Sequence, residues 1–449
     1  MRDTVEEMES AQVAFVPKQA EDVAGIAPWA ESSVWTDRMW TALETGVKGG
    51  KWFSLIDKVW KESNLRNSYE KVRKNKGCAG VDHVGVEAFG HGLDAELSKV
   101  SQALKAGTYQ PQPLKRTYID KDGGKGRRAL SIPTVRDRVV HTAVRHVIEP
   151  IFEQTFFESS YGFRPGKSSK DALREVAELL RNGWTCVVDA DLRRCFDTIP
   201  HEGLLRRLKE QVADSRVLKL IERFLKQGIM EAGEYWEPEE GTPQGGPLSP
   251  LLANIYLSPL DWMMYESGMR MVRYADDLVV LCRTPQQAQR ALMLLEQWVQ
   301  ANGLSLHPLK TRTVDMTGIR ASFDFLGYRF YRSPSKRLTW FPKPKSMQKL
   351  RGKLRPYTKR CNGHSLESII ETVNPILRGW YGYYRHSNQM TFQEVDRWLR
   401  MRLRSILRKR HHGRGRGRGR DHQRWPNAYF RELGLFSLVT ARASLCSSA

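Results

Sequence analysis

The chain has 449 residues, and its 72 lysines and arginines outnumber its 50 aspartates and glutamates, which gives a net charge of +22. This length can bury the cores of two or three domains, and so positive a field favours a polyanionic partner, nucleic acid above all. The six cysteines form no CxxC pair, which argues against a zinc module and a disulfide framework. No apolar run reaches the length of a membrane span, and the N-terminus lacks a signal-peptide core, which argues against a membrane protein and a secreted protein.

The N-terminal region is weakly patterned. Residues 1–48 are locally acidic, so we expect a loosely ordered extension with a short helix near residues 34–43. Helical periodicity begins at Trp52 and is broken by the glycine-containing run 77–82. Residues 112–140 then predict an extended segment, a turn and a helix that Thr134 would cap.

Two loops in the first half of the chain carry cations. Residues 121–128 form a basic, glycine-rich hairpin tip, and its lysines and arginines could fold over a triphosphate. Residues 161–168 combine aromatic side chains, Arg164 and a turn. The first loop is otherwise a solvated charged loop, and the second is either a contact to a nucleic-acid backbone or a rigid loop.

One acidic site follows a strand. Residues 184–188 are strand-like and lie between amphipathic stretches at 170–181 and 204–227, which predict helices. The strand leads into Asp189 and Asp191, which point to the same face because side chains alternate along a strand. The spacing alone therefore allows either aspartate to be a metal ligand.

The second acidic site is a pair of adjacent aspartates in residues 274–277, Tyr-Ala-Asp-Asp. Apolar β-formers on both sides predict a buried hairpin with a carboxylate turn. Neighbouring carboxylates are costly unless cations neutralise them, and Mg²⁺ prefers oxygen ligands. Together with the first acidic strand, the hairpin predicts a two-metal palm site, in which one ion activates a 3′-hydroxyl and the other stabilises pyrophosphate.

Further polar groups lie around this pattern. Residues 241–250 are glycine-rich, and Gln244 among them offers both a donor and an acceptor, so this loop is either a tight structural turn or a floor for nucleotide and template. A helix is predicted at 286–301 and strands at 323–330 and 338–341. Lys310 is either a simple surface charge or a general acid for pyrophosphate.

The composition changes beyond about residue 345, where predicted helices at 346–357, 366–379 and 392–410 carry dense arginine and lysine. Residues 413–420 alternate glycine and arginine, a low-complexity pattern that we expect not to pack a core. The basic segment is either a solvated charged face or a grip on nucleic acid. Its candidate RNA-binding residues are Arg400, Arg404, Arg414, Arg416, Arg418 and Arg420.

Taken in order, these motifs resemble the reverse transcriptases of group II introns over about residues 50–330. The matching segments are 132–138, 161–166, Asp191 with Phe196 and Asp197, 243–246, 274–277 and 325–328. Residues 374–380 resemble the maturase, or X, domain that follows the polymerase in this family, and residues 425–430 and 434–436 resemble C-terminal stretches of bacterial members.

The resemblance implies an α+β fold of the right-hand polymerase type. It places fingers and a palm with an antiparallel sheet at 49–335, after the extension 1–48, and a helical thumb and maturase domain at 336–449 that includes the basic segment 413–420. No histidine-rich nuclease signature or paired cysteines are present, so we expect the endonuclease domain of some relatives to be absent.

The resemblance also implies residue roles. Asp191, rather than Asp189, would bind two Mg²⁺ ions together with Asp276 and Asp277. Phe196 matches the aromatic residue that lies under the sugar and rejects a 2′-hydroxyl. The residues expected to bind the dNTP are Lys121, Arg128, Phe196, Gln244 and Lys310. Those expected to bind RNA include Arg164 and Arg378. The chain departs from the usual family pattern at Arg193, Cys195, Ala129 and Ser131.

The implied function is that of an RNA-directed DNA polymerase, a nucleotidyltransferase that copies its intron into DNA during retrohoming and binds the intron RNA to assist splicing. The expected partners are intron RNA, an RNA template with a DNA primer, target DNA and dNTPs, in the bacterial cytoplasm or at its nucleoid and without a membrane. The alternatives are a stand-alone reverse transcriptase recruited to DNA repair or phage defence, a non-catalytic RNA-binding splicing factor, and an RNA-dependent RNA polymerase. The intact aspartates argue against the second, and Phe196 argues against the third.

Overall fold

The computed structural model describes residues 26–47, 49–120 and 126–446, and these residues form a mixed α+β fold. The strands are β1 (Leu114–Asp120), β2 (Arg127–Ile132), β3 (Cys186–Asp191), β4 (Ile229–Glu231), β5 (Glu234–Trp236), β6 (Arg270–Tyr274), β7 (Asp277–Cys282), β8 (Arg312–Asp315), β9 (Ser322–Phe325), β10 (Tyr328–Arg332) and β11 (Leu338–Pro342).

The helices of the first 300 residues are α1 (Asp37–Thr45), α2 (Ile56–Val59), α3 (Glu62–Asn75), α4 (Val86–His91), α5 (Leu93–Ala106), α6 (Val135–Glu153), α7 (Ser169–Arg181), α8 (Cys195–Thr198), α9 (His201–Gln211), α10 (Ser215–Leu225), α11 (Ser249–Glu266) and α12 (Pro285–Ala301). Those of the C-terminal part are α13 (Pro344–Leu354), α14 (Leu366–Tyr384), α15 (Gln389–Arg410), α16 (Asp421–Arg424), α17 (Asn427–Glu432) and α18 (Leu438–Cys446).

Three sheets organise the strands. The first has the order β2-β1-β4-β5, the second β6-β7-β3-β8 and the third β11-β10-β9. All pairings are antiparallel except that of β1 with β4. The antiparallel sheets and the surrounding helices confirm the predicted α+β class and suit a right-hand polymerase.

The second sheet is buried on both faces, which explains its nearly continuous apolar strands. Val188 and Val280 face one core with helices α6, α11 and α12. Val187 and Val279 face another core with α7 and the aromatic side chains of β9 and β10. The acidic side chains of the two central strands of this sheet therefore lie at one end of these strands, where β3 ends and β7 begins.

Several predicted elements are present with changed boundaries. Thr134 caps α6 as expected, since its Oγ1 accepts a hydrogen bond from the Asp137 amide at 3.1 Å. The stretch 204–227 is two helices rather than one, because Asp214 caps a new helix by accepting from the Arg216 amide at 2.9 Å. The strand predicted at 323–330 is split by a turn at Leu326, where the backbone φ is +47°.

Residues 26–47 pack against the polymerase part of the chain, which was not expected. Trp35 is completely buried, its indole nitrogen donates to the His146 carbonyl at 2.9 Å, and its ring packs edge-on against Trp40 and Trp52. Residues 26–47 are therefore not a loose extension, and α1 provides the short helix predicted nearby. Residues 1–25 lie outside the described part of the chain, and the predicted domain division stays a prediction.

The C-terminal helices enclose a core of their own, in which Leu350, Leu377, Leu403 and Phe430 are buried. The glycine–arginine segment packs against this unit, which corrects the expectation that it would not. Gly417 is buried, and its amide donates to Ser405 Oγ at 3.1 Å. In the described ranges, no helix has both the length and the apolar character needed to cross a membrane.

Candidate active site

Two of the predicted carboxylates lie side by side across the second sheet. Asp191 ends β3, Asp277 begins β7, and the two residues are directly paired in the antiparallel register. Asp276 occupies the turn between β6 and β7, where Tyr274 pairs with Asp277. The fold thus brings all three aspartates predicted as metal ligands to one edge of the sheet.

The turn that carries Asp276 has an unusual backbone. Ala275 has φ +59°, a conformation that costs free energy for any residue other than glycine. Gly162 lies directly against this turn: a Cβ placed on Gly162 would be 2.2 Å from the Ala275 backbone nitrogen. The loop of residues 161–168, predicted to be either rigid or in contact with a nucleic-acid backbone, therefore packs against this turn through Gly162.

Burial and mutual repulsion dominate the electrostatics of the aspartates. Burial, followed by the charges of Asp276, Asp189 and Asp191, raises the pKa of Asp277 to about 7. Burial and Asp191 likewise raise the pKa of Asp276, which Arg128 and Lys310 oppose. Each carboxylate here destabilises the ionised form of its neighbours, so a bound cation would relieve the repulsion.

The two aspartates of β3 differ in their partners. Asp191 is 38% exposed and accepts a hydrogen bond from Lys310 Nζ at 2.8 Å. Asp189 is more buried, lies opposite Val279 and pairs with Arg312 at 3.2 Å. This arrangement favours Asp191, the residue adjacent to Asp277, as the metal ligand, although the assignment stays a prediction.

The carboxylates are of the type that binds a divalent ion, but they are not arranged around a common point as metal ligands are. Within the ranges that the structure describes, no group of three His, Cys, Asp or Glu side chains is arranged as a metal site. Lys310 instead pairs with Asp191. Carboxylate oxygens as the only donors fit Mg²⁺, which prefers carboxylates and waters.

The glycine-rich loop packs against α8 and β2. The Thr242 amide donates to the Phe196 carbonyl at 2.6 Å, and the Ser131 amide of β2 donates to the Gln244 carbonyl at 2.7 Å. Gln244 Nε2 lies 3.4 Å from Asp197 Oδ1. Phe196 itself is partly buried against the main core. The loop therefore joins α8, which carries Phe196, to the strand that carries Arg128.

The predicted triphosphate cations are placed in part. Arg128 is exposed on β2 and acts on the pKa of Asp276, so its charge reaches the aspartate turn. Lys121 lies outside the described residues. The roles of Arg128, Phe196, Gln244 and Lys310 toward a dNTP stay predictions.

Two arginines predicted to bind RNA are committed to the fold. Arg164 is buried, and its guanidinium donates to Glu153 at 2.9 and 2.7 Å and to the Ser160 carbonyl at 2.8 Å. Arg404 is also buried and donates to the Trp425 carbonyl at 2.9 Å. Their RNA contacts stay predictions, but Arg164 is only 9% and Arg404 only 4% exposed, so little of either guanidinium is accessible to a phosphate.

The other predicted arginines remain accessible to different degrees. The Arg400 side chain is 19% exposed and lies 3.6 Å from Asp396. Arg408 organises the glycine–arginine segment by donating to the Arg414 carbonyl at 2.8 Å and to Asp421 at 2.6 Å. The exposed members of the set are Arg378, Arg414, Arg416, Arg418 and Arg420.

Sequence reasoning missed the polar groups beneath the aspartate turn. Arg273 of β6 is completely buried and pairs with Asp261 of α11, with Nε 2.7 Å from Oδ1. The sequence did carry a signal for this pair: Arg273 lies inside an apolar strand and Asp261 inside an apolar helix, and a buried charge requires a partner.

Comparisons with known proteins agree with this geometry. Residues 119–330 match the family described as reverse transcriptase (RNA-dependent DNA polymerase), and residues 347–425 match the group II intron maturase-specific domain. The chain is 38% identical over 212 residues to the group II intron-encoded protein LtrA of Lactococcus lactis subsp. cremoris, covering 47% of this chain and 35% of LtrA.

Protein YkfC of Escherichia coli K12 is 32% identical over 302 residues, covering 59% of this chain and 78% of YkfC. Among solved structures, a partial Cas6-RT-Cas1--Cas2 complex is similar at 27% identity and a TM-score of 0.36, covering 55% of this chain and 41% of that one. The matched part of the chain spans about a third of the length of LtrA.

The two matched domains, in this order, define a polymerase module followed by a maturase module. The chain belongs to the family of group II intron reverse transcriptases with a maturase domain. Reverse transcriptases of this family use divalent metal ions.

Proposed function

We propose that this chain is an RNA-directed DNA polymerase that extends a DNA primer on an RNA template, and that its C-terminal helices bind intron RNA to assist splicing. The observation that carries the first part is the convergence of Asp191, Asp276 and Asp277 at one edge of the sheet. Lys310 and Arg128 add cationic charge beside them.

The three aspartates would hold two Mg²⁺ ions. When bound there, Mg²⁺ supplies Lewis-acid activation of the primer 3′-hydroxyl and neutralises the charge of the triphosphate. Lys310, 57% exposed beside Asp191, would give a proton to the departing pyrophosphate. Arg128 would pair with triphosphate oxygens as the dNTP enters.

Two further residues would select the sugar and the base of the incoming nucleotide. Phe196 would lie under the deoxyribose and exclude a 2′-hydroxyl, and Gln244 would offer its amide near the incoming nucleotide. The hydrogen bond that joins Thr242 to Phe196 supports this, because it holds the two segments in one wall.

The second activity rests on the maturase-specific match and on charge. Exposed arginines in the C-terminal unit would contact phosphates of folded intron RNA, which proteins recognise by shape and backbone. The same protein would then copy the intron into DNA at a target site in the bacterial cell during retrohoming. Its partners would be intron RNA, a primed RNA template, target DNA and dNTPs.

Primer extension by Asp191→Asn, compared with Asp189→Asn, tests the polymerase proposal. The two residues lie on the same strand face, but only Asp191 adjoins Asp277. We expect Asp191→Asn to slow nucleotide addition about a thousandfold, since several kcal/mol of charge stabilisation are lost. Asp189→Asn should retain most of the rate once folding is verified. Near wild-type extension by Asp191→Asn would overturn the assignment.

Splicing of the RNA that flanks the coding frame tests the maturase proposal. Purified protein should accelerate splicing of that RNA at low Mg²⁺. A protein that extends primers but neither binds nor splices the flanking RNA would instead be a stand-alone reverse transcriptase.

A further inference from the structure

A fully buried arginine lies beneath the aspartate turn. Arg273 directly precedes Tyr274 on β6 and has no exposed surface, and Asp261 on α11 neutralises it. Desolvating two charges costs several kcal/mol per ion, so a buried pair of this kind is a poor source of stability compared with apolar side chains. The buried pair is therefore explained better by the groups that the guanidinium holds in place than by the stability it adds.

The remaining hydrogen bonds of Arg273 converge on the turn and its supports. Nη1 donates to the Ala275 carbonyl at 3.0 Å and to Asn254 Oδ1 at 2.9 Å. Nη2 donates to Ser160 Oγ at 2.8 Å. One planar group thus ties the turn to helix α11 and to the segment that leads into Gly162.

Asn254 completes this arrangement from the other side. It is 1% exposed, and its Nδ2 donates to the Gly162 carbonyl at 2.7 Å. Gly162 in turn lies against the Ala275 nitrogen. The strained residue Ala275 therefore accepts a hydrogen bond from Arg273 at its carbonyl and packs closely against Gly162 at its nitrogen, and these contacts on both sides support a sparsely populated conformation.

We propose that Arg273 and Asn254 are positioning residues that fix Asp276 and Asp277 relative to Asp191 and thereby set the affinity of the site for divalent cations. The inference rests on the proposed metal-dependent polymerase function. Neither side chain reaches the substrate; both act through the backbone of the turn.

Asn254→Ala tests the inference, with Asn64→Ala as the matched control. Asn64 is also fully buried in the main core and donates to the Lys58 and Ala143 carbonyls at 2.9 and 3.2 Å, but it has no contact with the turn. Two quantities are measured on the full chain: the rise in melting temperature on adding Mg²⁺, and the Mg²⁺ concentration that gives half-maximal primer extension.

We expect Asn254→Ala to raise the half-saturating Mg²⁺ concentration about tenfold, the lower end of the effect of lost outer-shell support on metal affinity. Its Mg²⁺-dependent thermal shift should move to higher concentrations in parallel. Asn64→Ala should lower the melting temperature but leave both Mg²⁺ midpoints unchanged, because a general loss of stability does not move the turn.

If Asn254→Ala does not fold, Ser160→Ala serves instead. It removes the hydroxyl that accepts a hydrogen bond from Arg273 Nη2, and it should shift both Mg²⁺ midpoints in the same direction by a smaller factor. Identical Mg²⁺ midpoints in wild type, the tested variant and Asn64→Ala would overturn the positioning role. Wild-type protein without Mg²⁺-dependent extension would instead refute the proposed function, so the two failures are distinguishable.

Discussion

Gly162→Ala should impair catalysis by moving the aspartate turn. The added Cβ would lie 2.2 Å from the Ala275 nitrogen and 2.9 Å from the Tyr274 carbonyl carbon, whereas ordinary contact begins near 3.4 Å. Both atoms belong to the backbone, so no side-chain rotation can relieve the clash, and the turn must retreat by about 1 Å. A displacement of that size at reacting groups costs up to about 100-fold in rate.

Single-turnover extension of a DNA primer on an RNA template measures the effect. We expect nucleotide addition by Gly162→Ala to be about 100-fold slower at saturating Mg²⁺, with the Kd for primer–template unchanged because no surface residue is altered. Gly352→Ala is the control: a Cβ on this glycine of α13 would meet nothing within 4 Å, so the rate should not change.

The reasoning fails if Gly162→Ala adds nucleotides at the wild-type rate with the wild-type dependence on Mg²⁺. In that case the loop at Gly162 would yield to the methyl group, and the turn would owe its position to other contacts.

Four further predictions concern separate parts of the molecule. Replacing Asp276 and Asp277 together by alanine should abolish primer extension yet leave intron splicing at low Mg²⁺ intact, because RNA folding does not use these carboxylates; parallel extension and splicing assays decide. Phe196→Ala should admit ribonucleotides, and an unchanged ratio of dNTP to rNTP incorporation would remove it from the sugar-checking role. Burial lowers the pKa of His141 from 6.5 to about 3, so only the unfolded chain gains this proton as the pH falls through 6.5. The free energy of unfolding should therefore fall by about 2 kcal/mol at pH 5. Acid denaturation of His141→Leu should lack this loss, and the exposed His91→Gln is the control. Neutralising four arginines together should make RNA affinity depend less steeply on salt concentration, by roughly one unit of slope per lost phosphate contact, and the same slope for variant and wild type would refute this. The four are Arg414, Arg416, Arg418 and Arg420.

Sequence patterns alone predicted the elements that carry the site. The apolar strands around two acidic positions, and the glycine-rich loop between them, predicted a sheet edge with three carboxylates, and the structure places Asp191 opposite Asp277 there. Such predictions succeed because strand periodicity and hairpin turns are local properties of the chain. The choice between Asp189 and Asp191 required the resemblance to a family, since both point to the same face.

Tertiary structure decided which charges are available and which are structural. Arg164 and Arg404 belong to cation-rich segments, but each is buried with a protein partner, Glu153 at a separation of 11 residues for Arg164 and Trp425 at a separation of 21 residues for Arg404. Arg273 and Asp261 are separated by 12 residues, and only the packing of α11 against β6 brings them together. Side-chain periodicity does not encode which distant segments meet. The sequence could mark Arg273 and Asp261 as charges that need partners, but only the folded chain shows that they pair with each other and that Arg273 holds the aspartate turn.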